Sequence, residues 1–558
     1  MLHRGPDGIG FYTDSHATLG HCRLAFKGQS PNYPVKDLSN RFHIGLNGEV
    51  YNYKLLAKEY GISESVVEKG GDAVVIVELF KLLGDNCVEL LDGHFAFYIY
   101  DSELQELHLY RDRFGSKPLY YLSIGQNYYF SSEIKSLPTP NDFIRELNLD
   151  TLNLYFKTQN FYGSDTIFKN IFLVEPGQHL RISKDGLTAK YFVNDSESRN
   201  LDLSIESVTT IIEEMLLDSI SKQWEPNIAM AGYLSGGVDS SLIAISARRL
   251  GFDYTTYTTK FSGSVTDESD DAKLTAKKLE FENITTSLDE NTFWGQVNGI
   301  SKIVEEPRFG QCINNLVSMQ TLSTSSRIAL SGIGADELFG GYPWRYFFPE
   351  DTLQSPTDLT TLLIEKQCRL TNYNLVTNSD SSFALHRLNS IVGNVVENID
   401  GPNLESAGVL AALNLDLKYW LPSLLVIEDK LSMSLGIETR MPFLTNDFWR
   451  IGRQLCVETI LGGKANVDGG KIPLRSLLKK WGFAEISTRP KQGFSAPDNV
   501  WFGQTTAMQQ IFQKSNPIWD VLDRTTLLEM HNEHINGVKN HRGLLWSTIY
   551  LSDFLANW

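Results

Sequence analysis

The chain has 558 residues, too many for one hydrophobic core and enough for two or more domains, and its composition is that of an ordinary globular protein, 42% hydrophobic and 21% charged. A formal net charge of −17 without a compensating Lys/Arg stripe disfavours nucleic acid as a partner and leaves small molecules as the expected ligands. No apolar run is long enough to cross a bilayer and Met1 to Pro6 does not read as a signal peptide, so a cytoplasmic location without membrane partners is expected; five scattered cysteines with no C-x-x-C pair read as buried thiols.

From Met1 to Tyr191 the pattern is β-rich. Phe42–Leu46, Phe95–Tyr100, Leu107–Tyr110 and Tyr128–Phe130 are short apolar runs between turn residues, and Asp72–Leu83 has the apolar spacing of a helix. Asn194–Asn200 reads as a polar linker. Beyond it, Val208, Ile211, Ile212, Met215, Leu216 and Ile220 keep helical spacing. Three strands are then expected, Ala229–Leu234, Tyr254–Phe261 and Arg327–Ser331, each ending at a small or polar corner. A mostly parallel sheet covered by helices follows, with ligands at the carboxyl ends of its strands.

The first of those corners is the most informative stretch. Tyr233-Leu-Ser-Gly-Gly-Val-Asp-Ser-Ser241 sets two glycines, an acid and three serines between a strand and a helical segment beginning at Leu242. Backbone N–H groups from Gly236 to Ser240 can converge there on phosphate oxygens, and Asp239 among phosphates calls for a cation between them, which points to a magnesium nucleotide. No lysine follows the glycines, so this is not a kinase-type P-loop. A glycine-rich turn with a capping Asp is the bland alternative.

The loop resembles the S-G-G-x-D-S pyrophosphate loop of enzymes that cleave ATP between its α and β phosphates. Ser331-Gly-Ile-Gly-Ala-Asp-Glu-Leu-Phe-Gly-Gly-Tyr342, Tyr419-Trp-Leu-Pro422, Asp429 to Leu444 and Arg489-Pro-Lys-Gln-Gly-Phe494 are similar to blocks of the asparagine synthetase family. In the first half, His3–Gly8, His21-Cys-Arg-Leu24, Leu46–Asn52, Gly71-Asp72, Leu91–Ala96, Arg111–Gly115, Pro118–Tyr121 and Ser131–Lys135 resemble the family's class II glutaminase domain. The resemblance runs essentially the full length.

It implies two domains. Residues 1–193 would form an αββα sandwich of the Ntn-hydrolase type lacking its first strand, and residues 204–558 a doubly wound parallel-sheet ATP-pyrophosphatase domain with a helical C-terminal part, an α/β and α+β chain overall. Asp239 and Asp336 would share Mg²⁺, and ATP would lie against Leu234, Ser235, Gly236, Gly237, Asp239, Ser240, Ser241, Thr259, Ser331 and Gly332. Lys491, beside the metal, would stabilise the charge that builds on the α-phosphorus and on departing pyrophosphate. Glutamine would be held by Arg23, Asn47, Gly48, Glu49 and Asp72, the arginine on its carboxylate, Asp72 on its ammonium, and Asn47 with Gly48 on the oxyanion.

The implied reaction adenylates aspartate with ATP and transfers nitrogen to give asparagine, AMP and pyrophosphate, and the resemblance admits a homodimer. Two departures qualify it. The family's nucleophile is an N-terminal cysteine, whereas this chain begins Met1-Leu2, downstream of the family's first strand, and Cys22 lies mid-strand without a free amine; ammonia dependence and an unpaired sheet edge are therefore expected. The family's acid between the glycines of the Ser331 loop is Ile333 here, which cannot act as a base. Relatives that adenylate other acids, such as lactam or peptide cyclases, stand as the alternative, and a non-catalytic nucleotide or glutamine binder as a third.

Overall fold

The computed structural model of the chain describes all residues except 27–33, 139–144, 194–200, 202, 262–263, 265–266, 309–311, 349–352, 369–373, 400–402, 463–469, 492–495 and 503–505. The expected linker at Asn194–Asn200 lies outside the described residues, as do Gln492 to Phe494 of the C-terminal basic loop.

The first half supplies eleven strands: β1 (Gly8–Thr13), β2 (Thr18–Arg23), β3 (Val35–Lys36), β4 (Phe42–Val50), β5 (Gly93–Asp101), β6 (Glu106–Arg111), β7 (Tyr120–Ile124), β8 (Asn127–Ser131), β9 (Phe172–Leu173), β10 (Gln178–Ser183) and β11 (Gly186–Tyr191). Six of them form an antiparallel sheet in the order β11-β10-β6-β5-β4-β3, with β4 and β5 paired from Phe42↔Asp101 to Val50↔Gly93. Strand β5 is buried on both faces, which is why it reads as one apolar run. Phe95, Phe97 and Ile99 pack with Val75, Ile76 and Leu79 of the helix Glu64–Leu83, while Ala96, Tyr98 and Tyr100 pack with Leu19 of β2 and Leu119. The hairpin β1-β2 and the sheet β8-β7-β9 thus make the second layer. Gly71, at φ 63°, is non-helical and divides that segment at a kink, so its second piece begins at the expected Asp72 and a further helical piece, from Glu64, precedes it.

In the second half, β12 (Met230–Tyr233), β13 (Tyr254–Phe261), β14 (Asn283–Leu288), β15 (Ile328–Leu330) and β16 (Glu438–Arg440) form a parallel sheet in the order β14-β13-β12-β15-β16. Met230, Ile328 and Leu330 face the helices Ile205–Gln223 and Val238–Arg249, whereas Ala231, Tyr257 and Ala329 face Cys312–Leu322 and Leu421–Ser434. Helices therefore cover both faces, as the alternation of strand and helical patterns requires. The segment Leu404–Ser434 has the length and hydropathy of a membrane span, but 72% of its most apolar window is buried inside the protein.

Buried charges join the halves. Arg4 donates to Asp429 at 2.7 Å and reaches Glu133 at 3.4 Å, and Lys117 lies 3.1 Å from Asp429. Glu305 accepts from Lys430 Nζ at 2.5 Å and from the backbone N–H groups of Ile134 and Lys135 at 3.0 and 2.9 Å. Both side chains of the Glu305–Lys430 pair are fully buried. Replacing Glu305 with Gln is expected to lower the unfolding free energy by about 3 kcal/mol, because the Lys430 ammonium is left without its counter-charge. Urea denaturation would show this as a lower midpoint at unchanged slope, and an unshifted midpoint would contradict it.

Candidate active site

Strand β12 ends at Tyr233, and Leu234 continues by donating its N–H to Tyr257 O at 2.8 Å while its carbonyl accepts from Thr258 Oγ1 at 2.7 Å. Ser235 Oγ then takes the Gly237 N–H and touches Ser240 Oγ, both at 3.2 Å, so the hydroxyls shape the turn. The helix begins at Val238, earlier than the expected Leu242, with Gly237 as a cap that offers no side-chain acceptor. Its first-turn N–H groups stay available to an anion, and Asp239 is inside that turn rather than capping it. Ser241 is fully buried, and the Thr259 hydroxyl meets that of Ser318.

The second loop meets the first at Gly332. Ser331 N donates to Arg440 O at 2.9 Å as β15 ends. A Cβ at Gly332 would lie 2.8 Å from Asp239 Cβ, and one at Gly341, within the second loop, would lie 1.8 Å from Asp336 Oδ1 and 2.3 Å from Lys471 Cε, so glycine at the first lets the loops approach and at the second leaves room for the acid and its lysine. Asp336 and Glu337 open the short helix Ala335–Phe339, whose cap, Gly334, makes no side-chain bond.

Lysines bridge these acids. Lys471 Nζ donates to Asp239 Oδ2 at 2.5 Å and also contacts the Asp336 carboxylate; Lys491 Nζ donates to Asp336 Oδ2 at 2.7 Å. Arg489 ties the same corner by donating to Gly236 O at 2.6 Å. Burial pushes the Asp239 pKa up against the pull of Lys471, while Asp336 is held low because its two lysines outweigh burial. Burial would depress the Lys491 ammonium, but the facing carboxylates of Asp336 and Asp239 hold it above its ordinary value. Glu337, whose Oε1 accepts from Tyr342 OH at 2.7 Å, is pushed up to about 7 by burial and by the charge of Asp336. Asp239 Oδ1 is buried without a hydrogen-bond partner. Two carboxylates converging on one cation, one of them with a spare oxygen, form a donor set that fits a hard divalent ion.

Arg23, Asn47, Gly48, Glu49 and Asp72 line one cavity of about 1640 Å³, with Glu225, Met433 and Glu438 of the second half in its wall. Asp72 accepts from Val50 N at 3.0 Å and Ala73 N at 2.9 Å; burial nonetheless pushes it up to about 6. Asn47 Nδ2 reaches Ser132 Oγ at 3.4 Å. Glu49 contacts the guanidinium of Arg440, and burial, against that arginine, pushes it up to about 8. Cys22, half-buried in the same wall, pairs with Ile9 in the ladder of β1 and β2.

The residue that sequence reasoning missed is Lys471. Its signal is a glycine pair, Gly469-Gly470, directly before a lysine and a helix start, and the backbone of Lys471 is left-handed at φ 56°. Ile333 is half-buried against the core, with its N–H 3.4 Å from Ser331 Oγ.

An antiparallel amidotransferase-type layer joined to a parallel nucleotide sheet with paired acids and lysines at its mouth defines a two-part ligase. Residues 1–193 match the glutamine amidotransferase domain family and residues 212–556 the asparagine synthase family. The chain belongs to the asparagine synthase family, and with it to the carbon–nitrogen ligases. It is 29% identical over 345 residues to asparagine synthetase [glutamine-hydrolyzing] 1 of Bacillus subtilis, an alignment covering 61% of this chain and 54% of that relative. Over 612 aligned positions it is 26% identical to a Mycobacterium tuberculosis protein described as a putative asparagine synthetase, covering 98% and 91% of the two chains. A Gibberella zeae protein named amidase chry2 is 29% identical over 390 residues, covering 64% and 56%.

With Lys471 replaced by Met, Asp239 and Asp336 face each other without the shared ammonium. The expected result is a loss of roughly 3 kcal/mol at neutral pH. That loss should narrow on adding Mg²⁺ and on acidification, since the raised Asp239 pKa rises further and one carboxyl takes a proton. Thermal melts across pH, with and without Mg²⁺, would test this; a loss independent of both would refute it.

Proposed function

We propose that this chain is an ATP-dependent amide-forming ligase that activates the side-chain carboxylate of aspartate and joins it to ammonia. The observation carrying the reading is the Lys471–Asp239–Asp336–Lys491 cluster at the carboxyl ends of the parallel strands. An aspartate oxygen attacks the α-phosphorus of ATP; the new O–P bond forms as the bond to the bridging oxygen breaks, and pyrophosphate leaves with the electron pair. Lys491 and Lys471 stabilise charge on the phosphoryl oxygens and on the leaving group. Magnesium, held by Asp239 and Asp336, would neutralise the triphosphate. Ammonia then adds to the acyl carbon, the C–O bond to AMP breaks, and the nitrogen loses a proton. Glu225 and Glu438 line the cavity shared with Arg23 and Asp72, which supports nitrogen entry from the first half.

Cys22, next to last in β2, carries no free amine and is not placed as the family's nucleophile, so nitrogen is taken to reach the acyl group as ammonia. A second reading, activation of a different carboxylate, is favoured by one observation: Ile333 stands where the family places an acid, so the amine must lose its proton without that carboxylate.

ATP–pyrophosphate exchange with aspartate and magnesium is expected in the wild type and is expected to fall at least about a hundredfold in Asp239→Ala, Asp336→Ala and Lys491→Ala. Unaltered exchange in any variant removes that residue from the mechanism. Mass spectrometry should show asparagine and AMP with ammonium as the nitrogen source. Exchange that requires an acid other than aspartate would establish the second reading.

A further inference from the structure

A cluster in the first half, none of whose three central residues lines the large cavity, has unspent coordination chemistry. His108 on β6 and His179 on β10 occupy one face of neighbouring strands, where the ladder pairs His179 with Tyr110 and Arg181 with His108. Their rings lie nearly parallel, 6° apart, and both are almost fully buried. The turn Gly84–Leu90 lays Asp85 over them. His108 Nδ1 is 3.0 Å from His179 Nε2 and 3.3 Å from Asp85 Oδ1, and His179 Nδ1 is 3.8 Å from Asp85 Oδ2. One ligand atom from each residue lies within 4.8 Å of the others.

Protons alone do not satisfy this arrangement. A neutral imidazole carries one N–H and one lone pair. If His179 donates through Nε2, its Nδ1 lone pair faces a carboxylate, and His108 Nδ1, now accepting, cannot donate to Asp85. If His108 donates instead, a single proton serves both Asp85 and His179, and the His179 Nδ1–H is left over; that nitrogen is buried with no hydrogen-bond partner. A cation held by His108 Nδ1, His179 Nε2 and Asp85 Oδ1 takes one lone pair from each, and it directs the remaining His179 Nδ1–H toward Asp85 Oδ2, 3.8 Å away. Metal–ligand bonds of about 2.0–2.1 Å in tetrahedral geometry set ligand atoms about 3.3 Å apart, close to the 3.0 and 3.3 Å seen here.

We propose that Asp85, His108 and His179 form a binding site for a divalent first-row transition metal of the zinc type. Two imidazoles and one carboxylate select such an ion over magnesium, which prefers oxygen donors. The surroundings supply outer support. Tyr110 OH donates to Asp85 Oδ1 at 2.7 Å, and Glu106 Oε2 lies 3.8 Å from His108 Nε2, on the side that would fix its tautomer. Lys190 Nζ sits 2.9 Å from Asp85 Oδ2 on an exposed side chain, competes for that oxygen, and swings away when the metal binds.

The test uses the full chain, stripped with a chelator and held in excess Mg²⁺ so that Asp239 and Asp336 do not report. Zn²⁺ is titrated calorimetrically, and Co²⁺ is followed by its visible ligand-field absorption. One saturable equivalent is expected, weakened about tenfold or more in His179→Gln and Asp85→Asn, and at least as tight in Lys190→Ala. The partly exposed Asp85→Asn variant keeps the test open should His179→Gln not fold, as judged by its melt. No binding by the wild type, equal binding by a folded Asp85→Asn variant, or weaker binding in Lys190→Ala would each overturn the proposal.

Discussion

Three consecutive buried charges, Glu428, Asp429 and Lys430, set the constraint on which the rest of the molecule depends. They lie in the helix Leu421–Ser434, where successive residues point about 100° apart, so each must find its partner in a different direction. Glu428 accepts from Thr439 of β16 at 3.0 Å, Asp429 meets Arg4 and Lys117 from the first half, and Lys430 meets Glu305. Any rotation of the helix or slip of the halves leaves a charge buried without a partner, which costs several kcal/mol. Such a set contributes little net stability but admits few alternative packings. Burial raises the Glu428 carboxyl to about 7.

The same seam connects the two candidate pockets through one short strand. Strand β16 offers Thr439 to the helix, and Arg440 contacts Glu49 in the first half while donating to Glu438 at 2.7 Å. The Arg440 carbonyl holds Ser331 N, the first residue of the Asp336 loop. A change of charge at Glu49 therefore bears on a side chain whose backbone anchors the nucleotide corner. Two packed elements and no loop lie between them.

What was legible in the sequence was local. Ser235 to Ser241 and Ser331 to Tyr342 carry their chemistry within a dozen residues, and β5 announces its double burial by an unbroken apolar run. Gly332 and Gly341 could be seen as glycines; only the structure shows that the first admits Asp239 of the facing loop and the second makes room for Asp336 and Lys471. Lys471 was illegible because its partners lie 232 and 135 residues away (471 − 239 and 471 − 336), and a lysine after glycines reads as solvated loop. Arg4 and Asp429, 425 residues apart, were hidden for the same reason. The helix expected from Leu242 starts at Val238, because Asp239, Ser240 and Ser241 of the loop motif form its first turn.

Charge balance holds the cluster at the sheet's mouth together. Asp239 and Asp336 bring two negative charges and Lys471 and Lys491 two positive ones, and both acids converge on the Lys471 ammonium. On the proposed reading, a triphosphate with its metal would add phosphate oxygens for the lysines and a cation for the acids, so each group would exchange one partner of opposite charge for another. Little reorganisation is then needed at the moment of reaction, the condition under which fixed charges act most strongly on a transition state. Ile333 lies outside this balance. On the proposed reading, an apolar side chain between the two glycines would leave Asp239, Asp336, Lys471 and Lys491 untouched while altering what receives the proton from the incoming amine, so variation there would bear on the acceptor and nucleophile and not on the use of ATP.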